Sequence, residues 1–235
     1  MDELINVQEK KTELTPEQKN KIDDWAEKCY KYKRRWMAYL TKLYGPTFIR
    51  EFGSPWRMIC ENVDEIYRYI GHYNRVKLCP AFISVNAYDR KEPTPDRKIK
   101  KWKPVYETAN LTRLFFDFDG DQKKGLNLEQ AHTDALGFYD ATSYNHKVEL
   151  RFSASKGFAV ELMNNLTWHE NMEIIALAKS KYKTLDRTTN AQQVYRIPYS
   201  LHEKSLRQCI PISCDWSLAK ILDESQNYRA PPVVI

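Results

Sequence analysis

Glycine is scarce in this chain, 7 residues of 235, and no glycine-rich or other low-complexity tract interrupts it. The five cysteines, Cys29, Cys60, Cys79, Cys209 and Cys214, are odd in number, widely scattered and without a C-x-x-C pair. That pattern excludes a disulfide framework and a zinc knuckle, and the thiols read mostly as small buried apolar residues. No run approaches the ~18 consecutive apolar residues of a membrane span. The N-terminus is acidic and has no apolar segment of a secretory signal, so a cytoplasmic protein with no membrane partner is expected. What is present is average for a globular chain: 42% hydrophobic and 29% charged residues. The length suits one large domain or one and a half, with a sizeable core, which sets aside a coiled coil or a disordered tail.

Tyrosine is abundant (15 residues) and the net charge is +6, a basic and aromatic balance that suits nucleic acid. The charge is concentrated. Lys28, Lys31, Lys33, Arg34 and Arg35 alternate with Tyr30, Tyr32 and Trp36, and Arg97, Lys98, Lys100, Lys101 and Lys103 surround Trp102. Cations interleaved with rings can neutralise a phosphate backbone and stack on bases. A solvated helix face and a solvated loop are the alternatives for the two runs.

Along the chain, a polar start gives way to Thr15, Pro16 and Gln18, an N-cap, first-turn proline and capping-box signature. The apolar spacing predicts one helix from there to Gly45-Pro46, and a second from about 55 to 69. Residues 81–88 read as a strand and 89–104 as a charged loop. Strands are expected at 114–119, 147–152, 157–162 and 193–197, with helices near 127–140 and 168–182, together a mixed α/β (α+β) core. This divides the chain into an N-terminal helical segment (1–75), a core (76–225) and a tail or linker (226–235), so that the chain reads as one domain of a longer protein.

Three clusters carry candidate chemistry. In Leu114-Phe115-Phe116-Asp117-Phe118-Asp119 the two acids are two apart, so on a strand they share one face about 7 Å apart. Paired carboxylates among apolar neighbours repel unless cations sit between them, which is how divalent-metal phosphoryl-transfer sites are built. Asp121 is a third acid within reach, and a strand ending in a solvated acidic turn is the plainer alternative. The second cluster, Arg151 with Ser153, Ser155, Lys156 and Gly157, offers backbone N–H groups, hydroxyls and an ammonium to a phosphate, or is an ordinary hairpin turn. In the third, Arg196, Ser200, His202, Lys204 and Ser205 gather donors at a density that suits a triphosphate.

Taken in this order, the clusters resemble the archaeo-eukaryotic primase superfamily, notably the archaeal primase small catalytic subunit and plasmid or viral primase-polymerases, over about 81–212. The resemblance implies a primase-like catalytic core with RRM-like elements. It implies Asp117 and Asp119 as metal ligands and Ser153, Ser155, Lys156 and Gly157 as a nucleotide-binding turn. Arg196, Ser200, His202 and Lys204 complete the nucleotide site, with Arg196 and His202 as triphosphate and base-side contacts. This chain departs from the pattern at Ala154 (usually glycine), Ala159 (usually histidine) and Asn190 (usually the third aspartate). Asp186 is the nearest acid to the last position and substitutes for it if the segment is locally shifted. The implied activity is two-metal, Mg²⁺- or Mn²⁺-dependent, template-directed nucleotidyl transfer by a DNA primase or primase-polymerase of an archaeal or mobile-element replicon, with no zinc. Implied partners are single-stranded DNA template, NTP or dNTP, and other replication proteins or a helicase domain. A non-catalytic accessory subunit that binds nucleic acid or a partner primase is the alternative that Ala159 and Asn190 favour.

Overall fold

The computed structural model describes residues 14–53, 57–95, 101–110, 113–163 and 168–234. The polar start, Arg97, Lys98 and Lys100 of the second basic run, and Trp56 lie outside them.

Thr15 caps helix α1 (Pro16–Trp25) through the full capping box with Gln18. The single helix expected to continue to residue 44 is broken: a wide turn at Ala26–Tyr30 and a non-helical Tyr32 precede α2 (Lys33–Tyr44). The break rotates the second half so that Trp25, Cys29 and Trp36 are all fully buried, and the Trp36 indole N–H satisfies the Cys29 carbonyl at 3.1 Å. The expected helix at 55–69 is half strand. β1 (Thr47–Phe52) pairs with β2 (Met58–Asn62), and only then does Asn62, accepting the Glu65 N–H at 3.0 Å, cap α3 (Val63–Gly71). The segment 1–75 therefore contributes strands as well as helices.

The strand expected at 81–88 is cut in two, β3 (Phe82–Ser84) and β4 (Ala87–Tyr88), each of which pairs antiparallel with β1, at Phe52↔Ile83 and Ile49↔Tyr88. The buried Arg50 guanidinium binds the Ser84 and Val85 carbonyls at the break between them, at 2.7 and 2.8 Å. The region read as a loop is a hairpin, β5 (Lys91–Pro93) with β6 (Trp102–Pro104), followed by the short β7 (Ala109–Asn110). From there β8 (Leu114–Asp119), α4 (Leu128–Ser143), β9 (Val148–Phe152), β10 (Gly157–Leu162), α5 (Trp168–Lys181) and β12 (Val194–Arg196) match expectation, and β11 (Leu185–Thr188) is a strand that the sequence pattern did not announce. β13 (Ile210–Pro211) and α6 (Leu218–Glu224) close the chain.

The result is a mixed α+β fold with two main antiparallel sheets. One has the order β12-β3-β1-β4-β7, with β2 also on β1, and the other β11-β8-β10-β9-β13. Strand alternation divides the second sheet cleanly. Leu114, Phe116, Phe118, Leu150, Phe152, Phe158, Val160 and Leu162 face a core shared with α4 residues Ala131, Ala135 and Phe138. The other face looks toward the first sheet, where Phe115 and Ala159 join the core built from α1, α2 and α3. Asp117 and Asp119 lie on that same inner face.

Candidate active site

Between the sheets opens a polar cleft of about 280 Å³, walled by Phe82, Tyr195 and Arg196 from the first sheet and by Asp117, Asp119, Arg151 and Ala159 from the second. The alternation that sends Phe116 and Phe118 into the core sends both aspartates to the cleft. A third carboxylate reaches them across the ladder. Leu185 pairs with Phe118 and Arg187 with Asp117, so Asp186 is an extra residue in β11, a bulge. Asp117, Asp119 and Asp186 each place an oxygen within 4.8 Å of the others, so the local shift anticipated for residue 186 takes the form of this bulge. Asp121 is elsewhere: its carboxylate accepts the Lys123 N–H at 3.0 Å and closes its own turn.

Crowded negative charge has an electrostatic signature. Burial, and then the neighbouring Asp119 and Asp186 charges, outweigh Arg187 and Lys156 and push the Asp117 carboxyl up to about 8. A carboxyl whose folded pKa is raised favours the fold while protonated. Stability contributed by Asp117 is thus present below its unfolded pKa of about 3.9 and declines as pH rises through about 8. With divalent ions chelated, the melting temperature is expected to fall across this window more steeply in the wild type than in Asp117→Asn. Parallel melting curves would contradict it.

The Ser153 turn joins β9 to β10 beside these acids. Lys156 Nζ sits 2.8 Å from Asp119, which raises the lysine pKa, and Ser153 and Ser155 line the same wall. Gly157 packs closely against the acids. A Cβ there would run into Asp119 Oδ1 and the Phe118 carbonyl. Gly157→Ala is therefore expected to displace Asp119 and destabilise the fold by about 1–3 kcal/mol, read by urea unfolding together with divalent-ion binding; wild-type values in both would refute it. Ala154 holds φ +73°, the left-handed conformation that glycine adopts without strain.

The third cluster divides. Arg196, stacked 4.7 Å over Phe82, and His202 line the cleft. Arg196 donates to the Leu201 carbonyl at 2.9 Å and to Glu203 at 3.0 Å. His202 Nδ1 accepts the Lys204 and Ser205 N–H groups at 3.2 Å each, which leaves its proton on Nε2. Burial and then Arg196 pull His202 down to about 4, so the ring is neutral near pH 7. Ser205 ties this loop to the Ser153 turn through the Ala154 carbonyl at 2.5 Å. Ser200 is a correction: it is fully buried, its hydroxyl donates to the Ile197 carbonyl at 2.6 Å, and it is absent from the cleft wall. Lys204 is exposed and also off that wall.

In the first basic run, Lys31, Lys33, Arg34 and Arg35 are exposed. Their aromatic partners are mostly structural. Trp36 is core, Tyr30 is stacked between Trp25 and Tyr67 at 5.4 and 4.8 Å, and Tyr32 is exposed with the Arg35 guanidinium 5.0 Å from its ring centre. In the second run Lys101 is exposed and Lys103 pairs with Glu92 at 3.0 Å on the hairpin. Sequence reasoning missed a buried ionic chain beneath the acids. Arg151, on β9 where a strand was expected, contacts Glu161 of β10 and stacks 4.7 Å from the Tyr195 ring; Glu161 also binds Arg113 at 3.0 Å. The signal was available in charges placed on the alternating positions of otherwise apolar strands.

The fold is a mixed α+β one that places the three carboxylates in a cleft between its two main sheets. No protein-family model matches the sequence and no curated protein sequence matches it. A solved structure that matches is the polymerase domain from Mycobacterium tuberculosis Ligase D in complex with DNA, with a TM-score of 0.51 and 12% identity. The match covers 89% of this chain and 87% of that one. At that identity the likeness establishes the fold alone. No helix among the described residues is long and apolar enough to cross a membrane.

Proposed function

We propose that the protein is a metal-dependent nucleotidyltransferase, a DNA primase or primase-polymerase that extends or starts strands on a single-stranded DNA template, in an archaeal or mobile-element replicon. The observation that carries this reading is the convergence of Asp117, Asp119 and Asp186 on one cleft beside a serine- and lysine-bearing turn. Three hard oxygen donors suit Mg²⁺ or Mn²⁺, and the raised Asp117 pKa is what such a donor set shows when no cation offsets it. Divalent ions bound there would supply charge neutralisation at the reacting phosphate and activation of the attacking hydroxyl.

The chain's own residues do the positioning. Lys156 leaves Asp119 for the triphosphate, and Ser153 and Ser155 add hydroxyl donors at the same wall. His202, neutral and protonated on Nε2, is a donor that adds no charge to the site. Arg196, held by Glu203 and Phe82, fixes the opposite wall. The exposed cations of α2 and the hairpin serve the template backbone, so binding weakens with salt.

The test is synthesis on single-stranded DNA with Mg²⁺ or Mn²⁺, with and without a primer, comparing wild type with Asp117→Ala/Asp119→Ala. Product from the wild type alone supports the reading, and the unprimed lane separates a primase from a polymerase. Salt-sensitive DNA binding without product in any lane would point to the non-catalytic accessory role instead.

A further inference from the structure

A second concavity, about 480 Å³, lies on the far side of Asp186 and shares Asp186 and Arg187 with its wall. Arg187 also lines the cleft described above, so the two spaces meet at the bulge. The second space differs in chemistry. Its wall includes Arg57, Lys179 and Arg187 together with the amides of Asn190 and Gln192, and among the described residues that line it none is aromatic. Such a set of groups reads phosphate and sugar. One cation is held in place in advance: Arg57 is anchored at 2.8 Å by Glu51, which is fully buried, and its guanidinium also reaches the Gln192 carbonyl at 3.4 Å.

The order of groups across the acids gives this space a direction. Lys156 and the serines flank Asp119 on one side, and Arg187 and the second concavity flank Asp186 on the other. Nucleotidyl transfer is an in-line displacement, so acceptor and leaving group occupy opposite sides of the reacting phosphorus. If the pyrophosphate departs on the Lys156 side, the acceptor must approach from the Asp186 side. We propose that the groove formed by Arg57, Lys179, Arg187, Asn190 and Gln192 is the acceptor subsite, which holds the 5′-phosphate side of the nucleotide whose 3′-hydroxyl attacks. This rests on the nucleotidyltransferase reading. In the step the 3′ oxygen bonds to the α-phosphorus of the incoming nucleotide, and the bond from that phosphorus to the bridging oxygen breaks. The electron pair leaves on pyrophosphate, and the hydroxyl proton passes to solvent.

The acceptor chemistry is a 5′-phosphorylated nucleotide with an unblocked 3′-hydroxyl, whether the end of a primer or an initiating nucleoside triphosphate. Lys179 is the residue to change, because it is exposed on α5 and belongs to neither the acid cluster nor the Ser153 turn. In EDTA, a fluorescent primed template is expected to bind Lys179→Glu roughly tenfold more weakly than wild type, with a salt slope lower by about one. Lys179→Arg restores both. In turnover, the KM for the acceptor rises while the KM for the incoming nucleotide stays at the wild-type value. A rise confined to unprimed reactions identifies the initiating triphosphate as the occupant, and one confined to primed reactions identifies the primer end. Wild-type binding by Lys179→Glu together with an unchanged acceptor KM in both primed and unprimed reactions, an equal loss of affinity for unprimed template, or an equal rise in both KM values overturns the proposal. A wild-type protein that makes no product removes the nucleotidyltransferase reading, while the EDTA binding arm still decides whether this groove holds a primed end.

Discussion

Asp186→Asn is expected to lower template-directed incorporation by roughly 10²–10³-fold, as far as Asp117→Asn does, because each removes one charge aimed at the transferring phosphate. The expectation follows from the bulge. Asp186 is exposed and four residues from Asn190, and in a regular strand one residue would oppose Asp117; the inserted residue places both Asp186 and Arg187 there. Asn190 is occupied otherwise, its side chain accepting the Gln192 N–H at 2.9 Å. Asn190→Asp in the Asp186→Asn background is therefore expected not to restore activity. Single-turnover incorporation with saturating nucleotide reads the chemical step directly. Activity in Asp186→Asn equal to wild type would remove the third carboxylate from the mechanism.

Glu161→Ala is expected to destabilise the fold by about 3–5 kcal/mol, since it strands a buried arginine. Glu161 and Arg151 are both almost fully excluded from solvent, on neighbouring strands of the inner face, and Arg113 reaches the same carboxylate. Removing the acid leaves the Arg151 guanidinium with only Glu149, 3.8 Å away, and the face of Tyr195. Replacing the pair together, Arg151→Met with Glu161→Leu, is expected to recover most of the loss, because neither charge is then left without a partner. Urea unfolding of the two single variants and the double variant measures the coupling. Simple additivity would show that the two residues are energetically independent.

Much of this was legible in the residues. The Thr15–Gln18 capping box formed as read, and the alternation of residues 114–119 put the phenylalanines in the core and the aspartates in the cleft. Both are local signals, complete within a few residues. The failures came where a local signal met a distant partner. The apolar spacing that predicts a helix from residue 55 is real only from Val63; Met58 and Cys60 alternate as strand residues, and the N-cap Asn62 with Glu65 marks the boundary. Tyr30 reads as a stacking ring because cations flank it, yet it is half-buried and stacked on Tyr67, whereas Trp36, which also falls on the apolar helical spacing, is core. Ser200 looked like a phosphate donor from its company, and its hydroxyl instead closes the turn after Ile197. The buried Arg151 and Glu161 acquire meaning only once β9 and β10 are side by side.

The bulge at Asp186 has one more consequence. Every other residue of β11 that pairs with β8 is committed to a side of the sheet, so adding or losing one would turn its neighbours over and expose Leu185. Residue 186 is the exception. Excising it would leave Leu185 opposite Phe118 and Arg187 opposite Asp117, where the ladder already holds them. A chain of this architecture can therefore acquire or discard its third acid by a single-codon insertion or deletion, with its interior undisturbed, and the same acid need not fall at the same distance from the His202 loop in every descendant.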